Sequence, residues 1–209
     1  MRLITSVSAP LKGSYVVPGD KSLAHRAALF AALAEGRSTI RHFPLSGVTR
    51  AMLDALTAFG IAWSVTDDLL TVTGRGLHNW LTPSAPVDCR NSATTIRLLA
   101  GAVAATGVTC VLDGSPGLRR RPMHRVTEPL QAMGVPIHAA ANGGAPLSLM
   151  ARNTAEPLLA VSHTLPVASA QVKSCLLLAA LAARAPVTIT EPGPSRDHSE
   201  RMLSAMGWT

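Results

Sequence analysis

One segment of this 209-residue chain occurs three times, and each copy opens with small hydroxylated residues at the start of a predicted helix. After each opening come an Ala/Leu-rich helix, a β-prone stretch, a Pro-containing turn and a second helix that ends at a glycine. The openings are Lys21-Ser22, Asn91-Ser92-Ala93-Thr94 and Ser169-Ala170-Gln171, and the closing glycines are Gly60, Gly134 and Gly207. Such a repeat indicates a fold built from copies of one supersecondary unit.

The three openings also carry a functional signal, because free backbone N–H groups at a helix N-terminus bind anions. Three starts that meet in the fold can surround one phosphorylated ligand. The first adds Lys21 and Arg26, and the third adds Lys173. The second places Arg97 where a cation opposes the helix dipole, which requires a counter-anion or a partner. Singly, each opening also fits a capped helix with solvated basic residues, and residues 119–121 fit a solvated loop, but the recurrence favours a ligand.

Composition favours a folded protein of a reducing compartment. Hydrophobic residues make up 47% of the chain and charged residues 15%, which predicts a packed core rather than disorder. The longest uncharged apolar run, 98–112, is shorter than the roughly 20 residues of a membrane helix. No signal-peptide core precedes Lys12. Three cysteines without CxxC spacing predict buried, reduced thiols, so we expect a cytoplasmic protein without membrane contact.

The formal net charge of +7 raises the question of nucleic acid binding. Aromatic residues are only 3% of the chain, so few side chains are available to stack on bases. No zinc spacing or nucleic-acid motif is present either. The arginines lie beside Ser, Thr, Gly and Pro at predicted helix starts and turns. This distribution favours a small polyanionic ligand over nucleic acid.

Each unit is predicted to run strand, helix, strand, helix, strand, strand. The first unit is expected to open with a strand at 14–17, followed by a helix that Ser22 caps. In the second unit, Pro122 suits the first turn of the second helix. The third unit is predicted to open with a strand at 158–162, and its segment 175–183 is apolar on every face, as in a centrally packed helix. Because no strands follow Gly207, the third repeat reads as truncated.

Four motifs, taken together, resemble those of one known family in both order and spacing. They are Pro-Gly-Asp-Lys-Ser-x-x-His-Arg (18–26), Arg-Pro-Met-x-Arg-Val (121–126), Ala-Ser-Ala-Gln-Val-Lys-Ser (168–174) and Ser-Arg-Asp-His-Ser-Glu-Arg-Met-Leu (195–203). The family is EPSP synthase (3-phosphoshikimate 1-carboxyvinyltransferase), within the enolpyruvyl transferase superfamily. The resemblance covers essentially the whole chain and is closest to the branch known for glyphosate tolerance.

The resemblance implies an α/β fold, the inside-out α/β prism, in which helices of βαβαββ repeats pack inward and sheets face outward. A family member has two such domains hinged around the active site. This chain then supplies one substrate domain, 14–209, with repeats at about 14–78, 79–153 and 154–209. Residues 1–13 would begin the other domain. The chain corresponds to about half of a family member, and a complementing C-terminal half is the implied partner.

The resemblance also implies a reaction of the shikimate pathway of aromatic amino acid biosynthesis. The enolpyruvyl group of phosphoenolpyruvate is transferred to the 5-hydroxyl of shikimate 3-phosphate and phosphate is released, with no metal or organic cofactor. The residues implied for shikimate 3-phosphate are Lys21, Ser22, Arg26, Ser169, Ala170, Gln171 and Arg196. Those implied for phosphoenolpyruvate are Lys21, Asn91, Ala93, Thr94 and Arg121. No catalytic residue is assigned here, since the family's proton-transfer Asp and Glu belong to the other half.

This sequence departs from the family pattern at three places. Arg90 stands where the family has Gly, and Gly47-Val48 stands where acidic residues are expected. Ala93 stands where most members have Gly, so its methyl group should disfavour the bulky herbicide glyphosate. The first two departures keep a second hypothesis open, a non-catalytic domain that binds an anion or a protein partner. The sibling enzyme that acts on UDP-N-acetylglucosamine is disfavoured, because residues 115–121 contain no Cys.

Overall fold

The computed structural model describes residues 10, 12–183 and 186–208, so most of the predicted segment 1–13 lies outside the described residues. The helices are α1 (Lys21–Leu33), α2 (Gly47–Ala58), α3 (Ala93–Thr106), the single turn α4 (Pro116–Arg119), α5 (His124–Ala132), α6 (Ala170–Ala180) and α7 (His198–Ala205). The strands are β1 (Glu35–Ile40), β2 (Ala62–Thr66), β3 (Leu69–Arg75), β4 (Val87–Asp88), β5 (Cys110–Asp113), β6 (Ile137–Ala139), β7 (Leu147–Leu149), β8 (Ser162–Thr164) and β9 (Thr188–Thr190).

The strands form three separate sheets with a common plan. Their orders are β1-β3-β2, β4-β5-β7-β6 and β8-β9. The strand after a unit's first helix pairs antiparallel with the second strand of a hairpin, as in β1–β3 and β5–β7. The strand before that helix pairs parallel with the strand after it, as in β4–β5 and β8–β9. The predicted α/β architecture of repeated units is confirmed.

Three predicted boundaries are wrong. Segment 14–17 is not a strand and its side chains are exposed, because β-prone residues form a strand only with a ladder partner. The second helix of the middle unit begins at His124 rather than Pro122, and a separate turn, α4, precedes it. The third unit opens with β8, whose register Ser162↔Thr188 is set by β9, while Leu158 makes only an isolated bridge.

The first helices of the units, α1, α3 and α6, form the centre of the core. Most residues of α3 are buried around its whole circumference. The predicted central helix at 175–183 is confirmed in part: Cys175, Leu176 and Leu178 of α6 are fully buried, but the helix ends at Ala180 and residues 181–183 are half-buried. The two helices touch at Gly101, where an added Cβ would lie 2.1 Å from the carbonyl oxygen of Cys175. The absence of a side chain at Gly101 therefore allows the close spacing of α3 and α6.

The second helix of each unit ends in the same hydrogen-bonded turn. The closing glycine is left-handed each time, with φ of 79° at Gly60, 86° at Gly134 and 88° at Gly207. The N–H of the next residue donates to the carbonyl five residues back, from Ile61 (3.2 Å), Val135 (3.0 Å) and Trp208 (3.0 Å). This is the Schellman arrangement, and it explains why glycine recurs there. The sequence repeat is thus a repeat of backbone geometry.

His25 links the starts of the first two helices and gives the fold a pH-sensitive contact. It is buried, with Nδ1 2.6 Å from the carbonyl oxygen of Lys21 and Nε2 3.1 Å from that of Val48. Burial lowers the pKa of His25 and outweighs the two carbonyl contacts, which favour the protonated ring, and the charge of Arg26 adds to the lowering. The folded state therefore resists protonation that the unfolded chain accepts below about pH 6.5.

We expect the free energy of unfolding to fall as pH drops through about 6.5 and to level off below the lowered folded pKa of His25. One such group contributes at most about 1.4 kcal/mol per pH unit. Urea unfolding between about pH 8 and about pH 5, with His25→Gln beside the unaltered chain, measures the effect. The variant should lose part of the acid-dependent slope, and an unchanged slope would contradict the assignment.

Candidate functional site

The three helix openings meet in the fold and are joined by side-chain hydrogen bonds. Arg196, which precedes α7, donates from Nη1 to Oγ of Ser22 at 3.1 Å. Arg26 of α1 donates from Nη2 to the carbonyl oxygen of Ala170 at 3.2 Å. Gln171 of α6 donates from Nε2 to Oγ1 of Thr94 on α3 at 2.9 Å. Residues far apart in sequence therefore form one surface at the N-termini of the central helices.

In the first opening, Asp20 caps α1, and the prediction that Ser22 caps it is wrong. Asp20 Oδ1 accepts the N–H of Ser22 at 2.8 Å and of Leu23 at 2.9 Å. A carboxylate there satisfies free donors and favours the helix dipole, and the bond from Leu23 leads in lowering the pKa of Asp20. The hydroxyl of Ser22 is thereby left to accept from Arg196, and Lys21 beside it is exposed.

Arg26, predicted to bind the ligand, is 2% exposed and joins three helices. Nε donates to Ser199 Oγ at 2.7 Å, Nη1 to the Ser22 carbonyl at 3.0 Å, and Nη2 to Ser174 Oγ at 2.6 Å as well as to Ala170. Four of its five N–H donors are thus used by the protein. Burial lowers the pKa of Arg26, against the opposing charge of Glu200. The guanidinium fixes how α1, α6 and α7 meet.

In the third opening Ser169 caps α6, and Lys173 is paired with two carboxylates. Ser169 Oγ accepts the N–H of Val172 at 3.5 Å, and the N–H of Ser169 donates to Glu191 Oε1 at 3.0 Å. Lys173 Nζ lies 2.6 Å from Glu191 Oε2 and 2.7 Å from Glu200 Oε1, and the Lys173 and Glu191 side chains are each 12% exposed. Because two carboxylates take its charge, Lys173 supports the opening instead of presenting a cation to a ligand.

The second opening presents its amide and hydroxyl groups on α3 and the loop before it. Ser92 caps the helix and accepts from the N–H of Thr95 at 3.2 Å. Asn91 is exposed and accepts from Ser115 Oγ at 3.1 Å, and Ala93 is buried as the first residue of α3. Arg121 is exposed in the segment between α4 and α5.

Arg90, which stands where the family has glycine, adopts a left-handed backbone with φ of 51°. A non-glycine residue pays about 1–2 kcal/mol in that conformation. Its N–H donates to Asp88 Oδ1 at 2.7 Å, and its guanidinium reaches Asp54 of α2 at 2.5 Å, where Arg50 also pairs at 2.8 Å. The side chain is therefore held against the first unit.

Positive charge accumulates beside the second opening. Arg97 is half-buried, and burial lowers its pKa most, followed by the positive charges of Arg125 and Arg121. Because the three positive charges repel one another, an anion bound among them would be stabilised. The expectation that Arg97 needs a partner is confirmed in part, since it donates to Gln171 Oε1 at 2.8 Å.

Comparisons with known proteins agree with this geometry. Residues 6–209 match the family described as EPSP synthase (3-phosphoshikimate 1-carboxyvinyltransferase). The chain belongs to this family. It is 45% identical over 207 residues to the 3-phosphoshikimate 1-carboxyvinyltransferase of Syntrophomonas wolfei, covering 99% of this chain and 48% of that protein. The Salinibacter ruber protein of the same name is 45% identical over 197 residues, 94% of this chain and 45% of its own.

The fold agrees as well. EPSP synthase from Acinetobacter baumannii superposes with a TM-score of 0.88 at 38% identity, over 94% of this chain and 44% of that one. The predicted family and its α/β fold are therefore confirmed. This EPSP synthase family chain spans about half the length of the curated relatives it matches.

Within the described residues, no group of three or more His, Cys, Asp or Glu side chains could hold a metal ion. Cys89, Cys110 and Cys175 are buried free thiols, as predicted, and burial raises the pKa of Cys110 and of Cys175 to about 12. Thiols of this kind are poor nucleophiles. Over the same described part of the chain, none of the helices has the length and apolar character to cross a membrane.

Sequence reasoning missed two groups of this candidate site. Glu191 reaches the backbone of Ser169 from a loop 22 residues away in sequence, and no local motif marks it. Ser199, the partner of Arg26, lies within a quoted motif but carries no signal of burial. Arg97 was singled out only because the sequence predicted it in the first helical turn. The structure makes it the fifth residue of α3, so that detail of the prediction is wrong.

Proposed function

We propose that this chain supplies the shikimate 3-phosphate side, and part of the phosphoenolpyruvate side, of an EPSP synthase active site. The whole protein would transfer the enolpyruvyl group of phosphoenolpyruvate to the 5-hydroxyl of shikimate 3-phosphate and release phosphate. The observation that carries the proposal is the meeting of three helix N-termini through the Ser22–Arg196, Arg26–Ala170 and Thr94–Gln171 hydrogen bonds. Helix N-termini attract phosphate groups, and arginines bind them by paired donors.

The residues proposed to bind each substrate follow from the family motifs. Shikimate 3-phosphate would lie against Lys21, Ser22, Arg26, Ser169, Ala170, Gln171 and Arg196. Phosphoenolpyruvate would lie against Lys21, Asn91, Ala93, Thr94 and Arg121. The exposure of Lys21, Asn91, Arg121 and Arg196 supports direct contact. Arg26, with four donors already used, would contribute mainly by holding the openings together.

We also propose that residues 14–209 form one substrate domain, that residues 1–13 begin a second, and that a complementing half completes the enzyme. Trp208 occupies the position of Ile61 and Val135 in the repeated helix ends. Ile61 is 2% exposed and Val135 4%, whereas Trp208 is 48% exposed. An equivalent hydrophobic residue left exposed supports further polypeptide packing on the third unit.

The addition step needs a base for the 5-hydroxyl proton and an acid for the methylene carbon of phosphoenolpyruvate, and elimination of phosphate removes a proton again. Such groups must lie within hydrogen-bond reach of the substrate. Glu191 and Glu200 pair with Lys173, and Asp20 caps α1, so these carboxylates already have structural roles. We therefore assign the proton transfers to the complementing half.

Turnover measured with and without that half tests the proposal. The chain would be mixed with the C-terminal half of the Syntrophomonas wolfei relative, and phosphate release from the two substrates followed. We expect turnover from the mixture and none from the chain alone. Turnover by the chain alone would overturn the assignment of proton transfer to the partner.

A non-catalytic anion-binding domain is the second candidate, favoured by Arg90 and by Gly47-Val48 at the start of α2. It predicts binding of shikimate 3-phosphate by the chain, with no turnover from any mixture. Restoring the family residue by Arg90→Gly separates the two readings, because only an enzyme assembly gains turnover from that change.

Any active assembly that contains this chain is expected to be weakly inhibited by glyphosate. Ala93 is buried at the first residue of α3, so its methyl group has a fixed place beside the proposed phosphoenolpyruvate side. Ala93→Gly should strengthen glyphosate inhibition at least about tenfold, as one methyl group in a pocket does. Inhibition constants of the two assemblies measure this, with the KM for phosphoenolpyruvate as the control. Strong inhibition that Ala93→Gly leaves unaltered would refute it.

A further inference from the structure

The side-chain amide of Gln171 is held at both ends by protein groups. Its Oε1 accepts from Arg97 Nη1 at 2.8 Å, and its Nε2 donates to Thr94 Oγ1 at 2.9 Å. Because a guanidinium can only donate, the carbonyl end of the amide must face Arg97. One N–H of Nε2 is not used by Thr94, so the amide keeps one donor in a fixed direction.

Arg97 holds this position at a cost. It is the fifth residue of α3, just beyond the first turn, and its charged side chain is half-buried. Its pKa is lowered by burial and by the charges of Arg125 and Arg121. A second contact, from Nη2 to the carbonyl oxygen of Pro122 at 3.4 Å, ties it to the segment that carries Arg121. Residues that break a local rule in this way are expected at functional sites.

We propose that Arg97 is a positioning residue that orients the Gln171 amide, so that its remaining N–H meets a phosphate- or carboxylate-bearing ligand. The Arg97–Gln171–Thr94 chain spans α3 and α6, and so it connects the two proposed substrate sides. Lysine cannot replace Arg97, since one ammonium does not reproduce the planar fork that reaches both Gln171 and Pro122. The inference rests on the proposed function for the identity of the ligand, shikimate 3-phosphate.

A double-mutant cycle tests whether Arg97 acts through Gln171. Calorimetric titration with shikimate 3-phosphate would compare the unaltered chain, Arg97→Lys, Gln171→Ala and the double variant. We expect each single change to weaken binding about tenfold, the size of one lost charge-assisted hydrogen bond. The double variant should bind no more weakly than Gln171→Ala. Additive losses would overturn the proposal, because they mean that Arg97 acts independently of Gln171.

Two further variants separate positioning from simple stability. Thr94→Val releases the other end of the amide and should also weaken binding, by up to about tenfold as in Arg97→Lys. Arg50→Lys, on the exposed face of α2, should leave the affinity unchanged. Thermal unfolding of every variant shows that the titrations compare folded proteins. Unaltered affinity in both Arg97→Lys and Thr94→Val would sink the proposal.

An NMR measurement without ligand tests the positioning role of Arg97 separately from the proposed function. The side-chain amide signals of Gln171, identified by their absence in Gln171→Ala, should shift and exchange faster with solvent in Arg97→Lys. This holds without any ligand. If the unaltered chain fails to bind shikimate 3-phosphate, the proposed function fails while the amide signals still test the positioning. If the signals are the same in both proteins, the positioning role is wrong.

Discussion

Gly101→Ala is expected to destabilise the chain by about 3 kcal/mol or more, one of the largest effects of any single methyl group here. The new Cβ would lie 2.1 Å from the carbonyl oxygen, 2.8 Å from the carbonyl carbon and 2.9 Å from the Cα of Cys175. All three atoms are backbone of α6, so no side-chain rotation relieves the overlap. The central helices α3 and α6 would have to separate, which opens the core along both.

Gly47→Ala is the matched control, because Gly47 is also helical and an added Cβ there meets nothing within 4 Å. That change should be neutral or stabilise by up to about 1 kcal/mol through the lower backbone entropy of the unfolded chain. Urea unfolding followed by circular dichroism gives both free energies. A Gly101→Ala variant within about 1 kcal/mol of the unaltered chain would contradict the close packing of α3 on α6.

Arg26→Met should cost about 3 kcal/mol in the free energy of unfolding. The side chain keeps its length but loses all four donated hydrogen bonds, two to the carbonyl oxygens of Ser22 and Ala170 and two to serine hydroxyls. The Ser199 and Ser174 hydroxyls keep their mutual contact of 2.7 Å but lose the guanidinium. The lost charge-assisted hydrogen bonds between the three helices account for most of the cost.

Arg50→Met serves as the control for Arg26→Met, since it removes the same group from an ion pair with Asp54 whose arginine side chain is 47% exposed. Solvent screening limits that pair to under about 1 kcal/mol. Equal losses in the two variants would show that Arg26 is not the joint between α1, α6 and α7. The same unfolding experiments serve both predictions.

The repeat was predictable because the residues that begin and end its helices act through local backbone geometry. Glycine at 60, 134 and 207 is required by a left-handed turn that closes a helix, and Ser169 caps α6 because its hydroxyl reaches a free N–H. Boundaries that depend on a partner were not predictable. Segment 14–17 has strand-forming residues but is not a strand. The bounds of β8 are set by its pairing with β9.

In the candidate site, too, some features were predictable from local sequence and others depended on distant residues. Motifs place Lys21, Asn91 and Arg196 at helix starts, and the structure leaves each of them exposed there. The burial of Arg26 and the pairing of Lys173 depend on residues 144 to 173 and 18 to 27 positions away in sequence, beyond the reach of local patterns. The charge of a residue does not show whether its side chain contacts a ligand or stabilises the protein.

One titration tests the central claim that three helix openings form one binding site. Shikimate 3-phosphate would be added to the isotope-labelled chain and the backbone amide signals followed by NMR. The account predicts that signals at 21–22, 91–94 and 169–171 shift together and fit a single dissociation constant. Shifts confined to one opening, or no shifts at any of them, would contradict it.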